Sequence, residues 1–288
     1  MDPYDPVNDR RAAHEVLRRL LARGRVPYTP HPGDWDWWTF HADPRDRTDQ
    51  FIGPEALAAI SINEVTMDDG EVAAFGLPAD EVIELGRAVL PGTAFKVSHV
   101  SLGDHVQVGA LRAAGFELEG APSPLFERPT AGASPQSVDG FEIRPLGGED
   151  EHAGRADAAR LAFASTLEPD VHRARYLRFM RSRAYELAND MVAVAPDGTI
   201  ASFAIYWPDD ALSLAQFEPV GTHPDFQRRG LASAVLHESL ARLAAAGIER
   251  ARVMTGGTNE RAGRAYRALG FQLVDEVASY RAPASFGR

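Results

Sequence analysis

Between Gly230 and Ala246 the apolar residues Leu231, Val235, Leu236, Leu240 and Leu243 recur at the spacing of one helix face, which predicts an amphipathic helix there. The segments around it read as strands. "FEIRPL" opens the second half as a strand, and "MVAVAPDGTIASFAIYW" holds two more, joined by a turn from Pro196 to Thr199. "ALSLAQFEPV" is a further strand, "ARVMTG" another and "FQLVDEVASYR" the last. Helices are expected from Glu149 to Leu167, with Ala159, Leu161, Ala162 and Phe163 on the apolar side, and from Asp170 to Ala188 with Asp170 as N-cap. A last helix, Asn259 to Leu269, is closed by Gly270. Helices and strands therefore alternate, which is an α/β pattern.

The first half repeats part of this order. "ALRAAGFEL" (Ala110 to Leu118) aligns with "AYRALGFQL" (Ala265 to Leu273) at a constant offset of 155, and "AFKVSHV" stands where "RARVMTG" does. Between the halves "RPTAGASPQSVDG" is rich in Pro, Gly, Ser and Ala without an apolar period. Two domains are expected, 1–128 and 141–288, joined by a linker over 129–140; 288 residues suit that number.

Charge and composition narrow the chemistry. The formal charge of −11 argues against a nucleic-acid partner, whose phosphates require a basic footprint. Residues 1–138 carry 12 basic and 21 acidic side chains and residues 139–288 carry 18 and 20, so the acidity concentrates in the first half. That distribution suits a solubilising surface, and would also attract a cationic substrate. The absence of cysteine excludes disulfides, thiolate metal sites and cysteine nucleophiles. With neither a signal-peptide core nor a run of about 18 apolar residues, a cytoplasmic protein without membrane contact is expected. Only Lys96 among the basic residues is lysine, a skew that suggests GC-rich bacterial coding.

"EPVGTHPDFQRRGLASAVL" joins a strand end to the helix through Gly230. A helix N-terminus leaves backbone N–H groups unpaired and carries partial positive charge, and a preceding glycine admits a bulky anion close to the backbone. The loop is suited to phosphate or pyrophosphate. Neither a Walker pattern nor a G-x-G-x-x-G turn is present.

"QRRGLA" (Gln227 to Ala232) resembles the Q/R-x-x-G-x-G/A signature of the GNAT superfamily of N-acetyltransferases, and "NERAGRAYRALGF" is similar to that family's later Asn-x6-Tyr helix with Gly-Phe after it. The resemblance covers residues 141 to about 281 in family order. It implies a mixed, mostly antiparallel sheet flanked by helices, with acetyl-CoA or another acyl-CoA as co-substrate. It further implies that Val220, Gly221 and Thr222 offer strand-end backbone groups to the acetyl and pantetheine portions. Gln227 belongs to the signature, and Arg228, Arg229, Gly230, Leu231, Ala232 and Ser233 would hold the pyrophosphate. Asn259 would bond the pantetheine and Tyr266 would stand near the sulfur as general acid, a role its seven-residue spacing from Asn259 favours over that of a buried helix tyrosine packing on the sheet. Asn259 would equally suit a helix N-cap.

Strand alternation puts Glu218 on the face of Val220, which makes Glu218 the candidate general base, directly or through water. Pro219, lacking an N–H, would interrupt pairing there. His223 is more suited to a loop role. In the first half Leu111 replaces Tyr266, Asp104 replaces Asn259, and the signature loop is missing, so that half resembles a degenerate, catalytically silent GNAT unit. Its "GDWDWWTFH" offers Trp35, Trp37 and Trp38 to a core, a lobe interface or an acceptor pocket. Neither His31, Asp34, Asp36 and His41 nor Glu168, Asp170 and His172 have standard metal spacing, and no metal is expected. The expected activity is acyl transfer to a primary amine of a small molecule. An acyl-CoA-binding sensor or scaffold, a protein N-acetyltransferase, and a cysteinyl amino-sugar acceptor like that of mycothiol synthase remain alternatives.

Overall fold

The computed structural model describes residues 1–24, 28–41, 46–63, 70–283 and 286. The first half runs β1 (Asp2–Pro3), α1 (Arg10–Ala22), α2 (Pro32–Phe40), β2 (Asp46–Ile52), β3 (Leu57–Asn63) and β4 (Gly70–Phe75). It continues through α3 (Ala79–Val89), β5 (Phe95–Ser101), α4 (His105–Ala113) and β6 (Glu117–Pro129). The second half runs β7 (Glu142–Pro145), α5 (His152–Ala162), α6 (Pro169–Met180), β8 (Asp190–Val194), β9 (Ile200–Asp209) and β10 (Leu214–Thr222). Then come α7 (Leu231–Ala245), β11 (Arg250–Met254), α8 (Glu260–Ala268) and β12 (Gln272–Arg281).

The repeat extends to element starts. Phe95, His105 and Glu117 begin β5, α4 and β6, and Arg250, Glu260 and Gln272 begin β11, α8 and β12, each 155 residues later. Even the caps correspond: Asp104 accepts from Gln107 N at 3.0 Å and Asn259 from Ala262 N at 3.1 Å. Each half has one parallel pair, β4 with β5 and β10 with β11, among otherwise antiparallel neighbours in the described residues.

The strands form one sheet in the order β1-β2-β3-β4-β5-β12-β6-β11-β10-β9-β8-β7. The halves exchange their last strands. β12, from the end of the chain, pairs with β5, and β6, from the first half, pairs with β11. Helix α7 packs its five apolar residues, all buried, against one face, with Phe126 of β6 in the same core. Helices α5 and α6 cover the opposite face, where Tyr176 and Phe179 of α6 pack with Phe203 of β9. Strand β8 is buried throughout, and after Asp190 its sequence reads as a continuous apolar run.

The helix ends differ from expectation in two places. Helix α5 is preceded by a 3-10 turn at Glu149–Glu151 and ends at Ala162, leaving Phe163 52% exposed. Its buried face carries Ala159, as expected, together with His152, Arg155, Ala156 and Ala158. Arg155 is tolerated there because its Nε donates to Asp190 at 2.9 Å. Helix α6 starts at Pro169, favoured in a first turn, so Glu168 rather than Asp170 is the N-cap, and it ends at Met180. Among the described residues no helix is long and apolar enough to cross a membrane.

Candidate active site

The site begins where two strands part. β10 and β11 pair in parallel from Leu214 to Phe217 and from Arg250 to Val253, and the pairing goes no further. On its other side β10 slips register against β9 between Phe217 and Val220, around Pro219, which has no N–H to give. Two donors fix the irregular segment: Trp207 Nε1 bonds the Glu218 carbonyl at 2.6 Å, and Ser202 Oγ the Gly221 carbonyl at 2.8 Å. Gly221 has to be glycine, since a Cβ there would lie 2.3 Å from the Phe203 ring.

One cleft in this opening has a volume of ≈ 550 Å³. Its walls include Val220, Gly221, Thr222, Gln227, Arg228, Gly230, Leu231, Ala232, Ser233, Asn259 and Tyr266. Gly230 is the N-cap of α7 with φ +79°, a left-handed conformation that glycine adopts without strain, and the space a Cβ would occupy is open. The helix's first-turn N–H groups have no intrahelical acceptor and favour an anion. Arg229 stands apart from this wall, with its guanidinium 5.2 Å from the Phe226 ring centre and bonded to the Asp225 carbonyl. Gln227 Oε1 accepts from Arg261 at 2.7 Å and ties the loop to α8; Arg261 lines the cleft and has no signature of its own in the sequence.

A second cavity of ≈ 560 Å³ holds Glu218, Trp37, His41, His172, Arg175 and Tyr176. The two cavities share Phe163, Val220, Asn259, Ala262 and Tyr266. Tyr266 thus stands at their junction, packed between Phe126 and Phe271, and burial pushes its phenol upward. Asn259 spends its Oδ1 on the cap of α8. Glu218 is half-buried at the wall of this cavity. Burial, then the neighbouring Asp34 carboxyl, push its own carboxyl well above the usual 4.5, with Arg252 pulling the other way.

Of the three tryptophans only Trp37 reaches this cavity. Trp35 is fully buried against Tyr4, and Trp38 stacks on Phe75. His31 caps α2 through Gly33 N, Asp34 bonds back to His31 N, and Asp36 pairs with Arg10 and His14. His223 Nδ1 accepts from Asp225 N, and His223 is not among the residues of either cavity. Among the described residues no group of three or more His, Asp or Glu side chains is disposed to hold a metal.

The sheet parts at its parallel pair, and the glycine-capped N-terminus of α7 follows the signature residues Gln227 to Gly230 into the opening. Residues 157–271 match the model of the acetyltransferase (GNAT) family. The mycothiol acetyltransferase of Nocardiopsis dassonvillei is 31% identical over 187 residues, 60% of this chain and 55% of that protein. That of Beutenbergia cavernae is 33% identical over 149 residues, 50% of this chain and 49% of that one. The chain thus spans about half the length of these curated relatives. A tandem GNAT protein from the clavulanic acid biosynthesis pathway superposes with a TM-score of 0.69 at 13% identity, covering 98% of this chain and 97% of that one. A GCN5-related N-acetyltransferase from Sphaerobacter thermophilus gives 0.66 at 15% identity, over 97% and 94%. Residues 157–271 thus carry the match to the GNAT family, and the chain shares the fold of a tandem GNAT protein along nearly its whole length.

Proposed function

We propose that the second half of the chain is an acyl-CoA-dependent N-acyltransferase that moves an acetyl group from acetyl-CoA to a primary amine of a small molecule, and that the first half is catalytically silent. The observation that carries this reading is the meeting of two cavities at Val220 and Tyr266, one lined by the anion-binding turn and the other by Glu218. The first would take the coenzyme, with its pyrophosphate on the N–H groups of Leu231, Ala232 and Ser233, and the second the acceptor. Thr222, Arg228 and Asn259 would contact the rest of the coenzyme.

The amine attacks the thioester carbon, so a C–N bond forms and the C–S bond breaks. The amine proton passes to Glu218, directly or through a water, and Tyr266 gives a proton to the departing thiolate. The silent half has Leu111 where the second has Tyr266, and Asp104 where it has Asn259. The similarity to two mycothiol acetyltransferases favours an acceptor of the kind they use, as a second reading at the level of substrate.

Thermal-shift titration with coenzyme A, acetyl-CoA and longer acyl-CoAs tests the donor side. Ligand at 100 times its dissociation constant stabilises by about 2.7 kcal/mol, a rise of several degrees that should vanish in Gly230→Glu. An amine panel follows with the best donor. Absence of acyl-CoA binding by calorimetry would sink the reading.

A further inference from the structure

Helix α5 ends in a turn that holds Phe163 out of the core. Ala164, the next residue, has φ +48°, a left-handed conformation that glycine adopts freely and alanine does not. Ala164 N donates to the Leu161 carbonyl at 3.3 Å and Ser165 N to the Arg160 carbonyl at 3.0 Å, which closes the helix with Phe163 as its C-cap. Among the described residues Phe163 is the one aromatic side chain in the set of exposed large apolar residues. A backbone outlier that keeps a large ring half in water points to a use for the ring there.

The ring is anchored to the parted strands. It meets the Phe203 ring of β9 with 5.9 Å between centres and 69° between planes. Phe203 is buried against Gly221 of β10, where a Cβ would come within 2.3 Å of it, and the Arg155 guanidinium lies 3.7 Å from its ring centre. Phe163 therefore stands on a fixed support beside the irregular segment of β10. Both cavities reach it, together with Val220, Asn259, Ala262 and Tyr266. The purely apolar members of that shared group, Phe163, Val220 and Ala262, come from three elements, the end of α5, β10 and α8, and form an apolar collar where the cavities meet.

We propose that Phe163 sets the length of the acyl group: its ring narrows the passage between the cavities, leaves room for the methyl of an acetyl thioester and blocks a longer chain from running on into the second cavity. This rests on the reading that the thioester lies where the two cavities meet. An acyl chain continues away from the sulfur, past Val220 and Tyr266, and the second cavity, of ≈ 560 Å³, has the volume for several more carbons once the ring is gone. A chain admitted there would occupy the place of the amine, so the same ring keeps the acceptor side clear.

Titration calorimetry on the full chain with coenzyme A, acetyl-CoA, butyryl-CoA and hexanoyl-CoA tests this without an amine. The quantity read is the affinity of each acyl-CoA relative to coenzyme A on the same protein, which cancels a general effect of a substitution on the cleft. In the wild type the butyryl and hexanoyl ratios should fall about tenfold or more below the acetyl ratio. Phe163→Ala should raise those two ratios by about tenfold or more and hold the acetyl ratio within about twofold, with Phe163→Leu in between. A flat wild-type series overturns the proposal whatever the variants do, as does an unchanged length preference in folded Phe163→Ala, or in Phe163→Leu should the alanine variant fail to fold. Coenzyme A bound with an unchanged series would remove Phe163 and leave the acyltransferase reading standing, whereas no binding of coenzyme A or any acyl-CoA would end both.

Discussion

Tyr266 is held by packing, with its ring 6.0 Å from Phe126 and 5.9 Å from Phe271, so its hydroxyl can be removed without unsettling the ring. Tyr266→Phe should therefore lower kcat by roughly 10²-fold or more while KM for acetyl-CoA holds, measured by steady-state kinetics. Wild-type turnover would end the general-acid assignment. Glu218 carries a second consequence. Its carboxyl binds its proton more tightly in the folded chain than in the unfolded one, where it titrates near 4.5. As pH rises above that value the unfolded chain releases the proton and the folded chain keeps it, so the folded state loses its advantage until the folded group also ionises. Glu218→Gln removes that loss. Its melting temperature should gain on the wild type between pH 5 and pH 8, while turnover at neutral pH falls by roughly 10²- to 10⁴-fold and recovers partly as free amine becomes abundant. Equal melting temperatures across that range would mean that the wild-type group titrates as an exposed carboxylate does.

At the scale of elements, α5 is anchored by charge. Arg155 and Asp190 are both fully buried; Asp190 also accepts from Tyr185 at 3.0 Å, and the guanidinium lies 3.7 Å from the Phe203 ring centre. Arg155→Met leaves Asp190 without its cation and should cost about 3–5 kcal/mol in chemical denaturation, with part regained in the double variant with Asp190→Asn. A cost under about 1 kcal/mol would mean that the pair contributes little. This pair also marks the limit of what the sequence discloses. Helix α7 was legible because its apolar residues repeat locally, and Gly230, Asn259 and Tyr266 because a turn, a cap and a seven-residue spacing are local too. The burial of Arg155 depends on a residue 35 positions away, so the sequence placed only part of α5's core side: Ala159 is buried and Ala162 packs on the core as expected, whereas Phe163 was expected in the core rather than at the junction of two cavities. The second cavity was least legible. Trp37 comes from α2, Tyr176 from α6, Glu218 from β10 and Val253 from β11, and no local pattern brings them together. The fold order of the second half needed only periodicity, whereas the exchange of β6 and β12 needed contacts more than 100 residues apart.

At the scale of the molecule that exchange decides what can be cut. Residues 141–288 are a lobe in chain order, yet they lack β6, which lies between β11 and β12 and places Phe126 against Tyr266. Without it β11 and β12 would face each other across a missing strand, with two open edges. A fragment of residues 141–288 should therefore expose apolar surface, aggregate or melt without cooperativity, and fail to bind acetyl-CoA. Extending the fragment back to residue 116 restores the run β12-β6-β11-β10-β9-β8-β7 and should recover cooperative melting and a coenzyme-dependent shift, measured by calorimetry. It should not recover turnover on the amine, because Trp37 and His41, which line the second cavity, stay behind with the first half. A 141–288 fragment that melts cooperatively and binds acetyl-CoA as the full chain does would show that β6 adds nothing the second half needs. Coenzyme binding without turnover in the longer fragment, with turnover restored by adding residues 1–115 in trans, would locate the first half's contribution at the acceptor rather than at the donor.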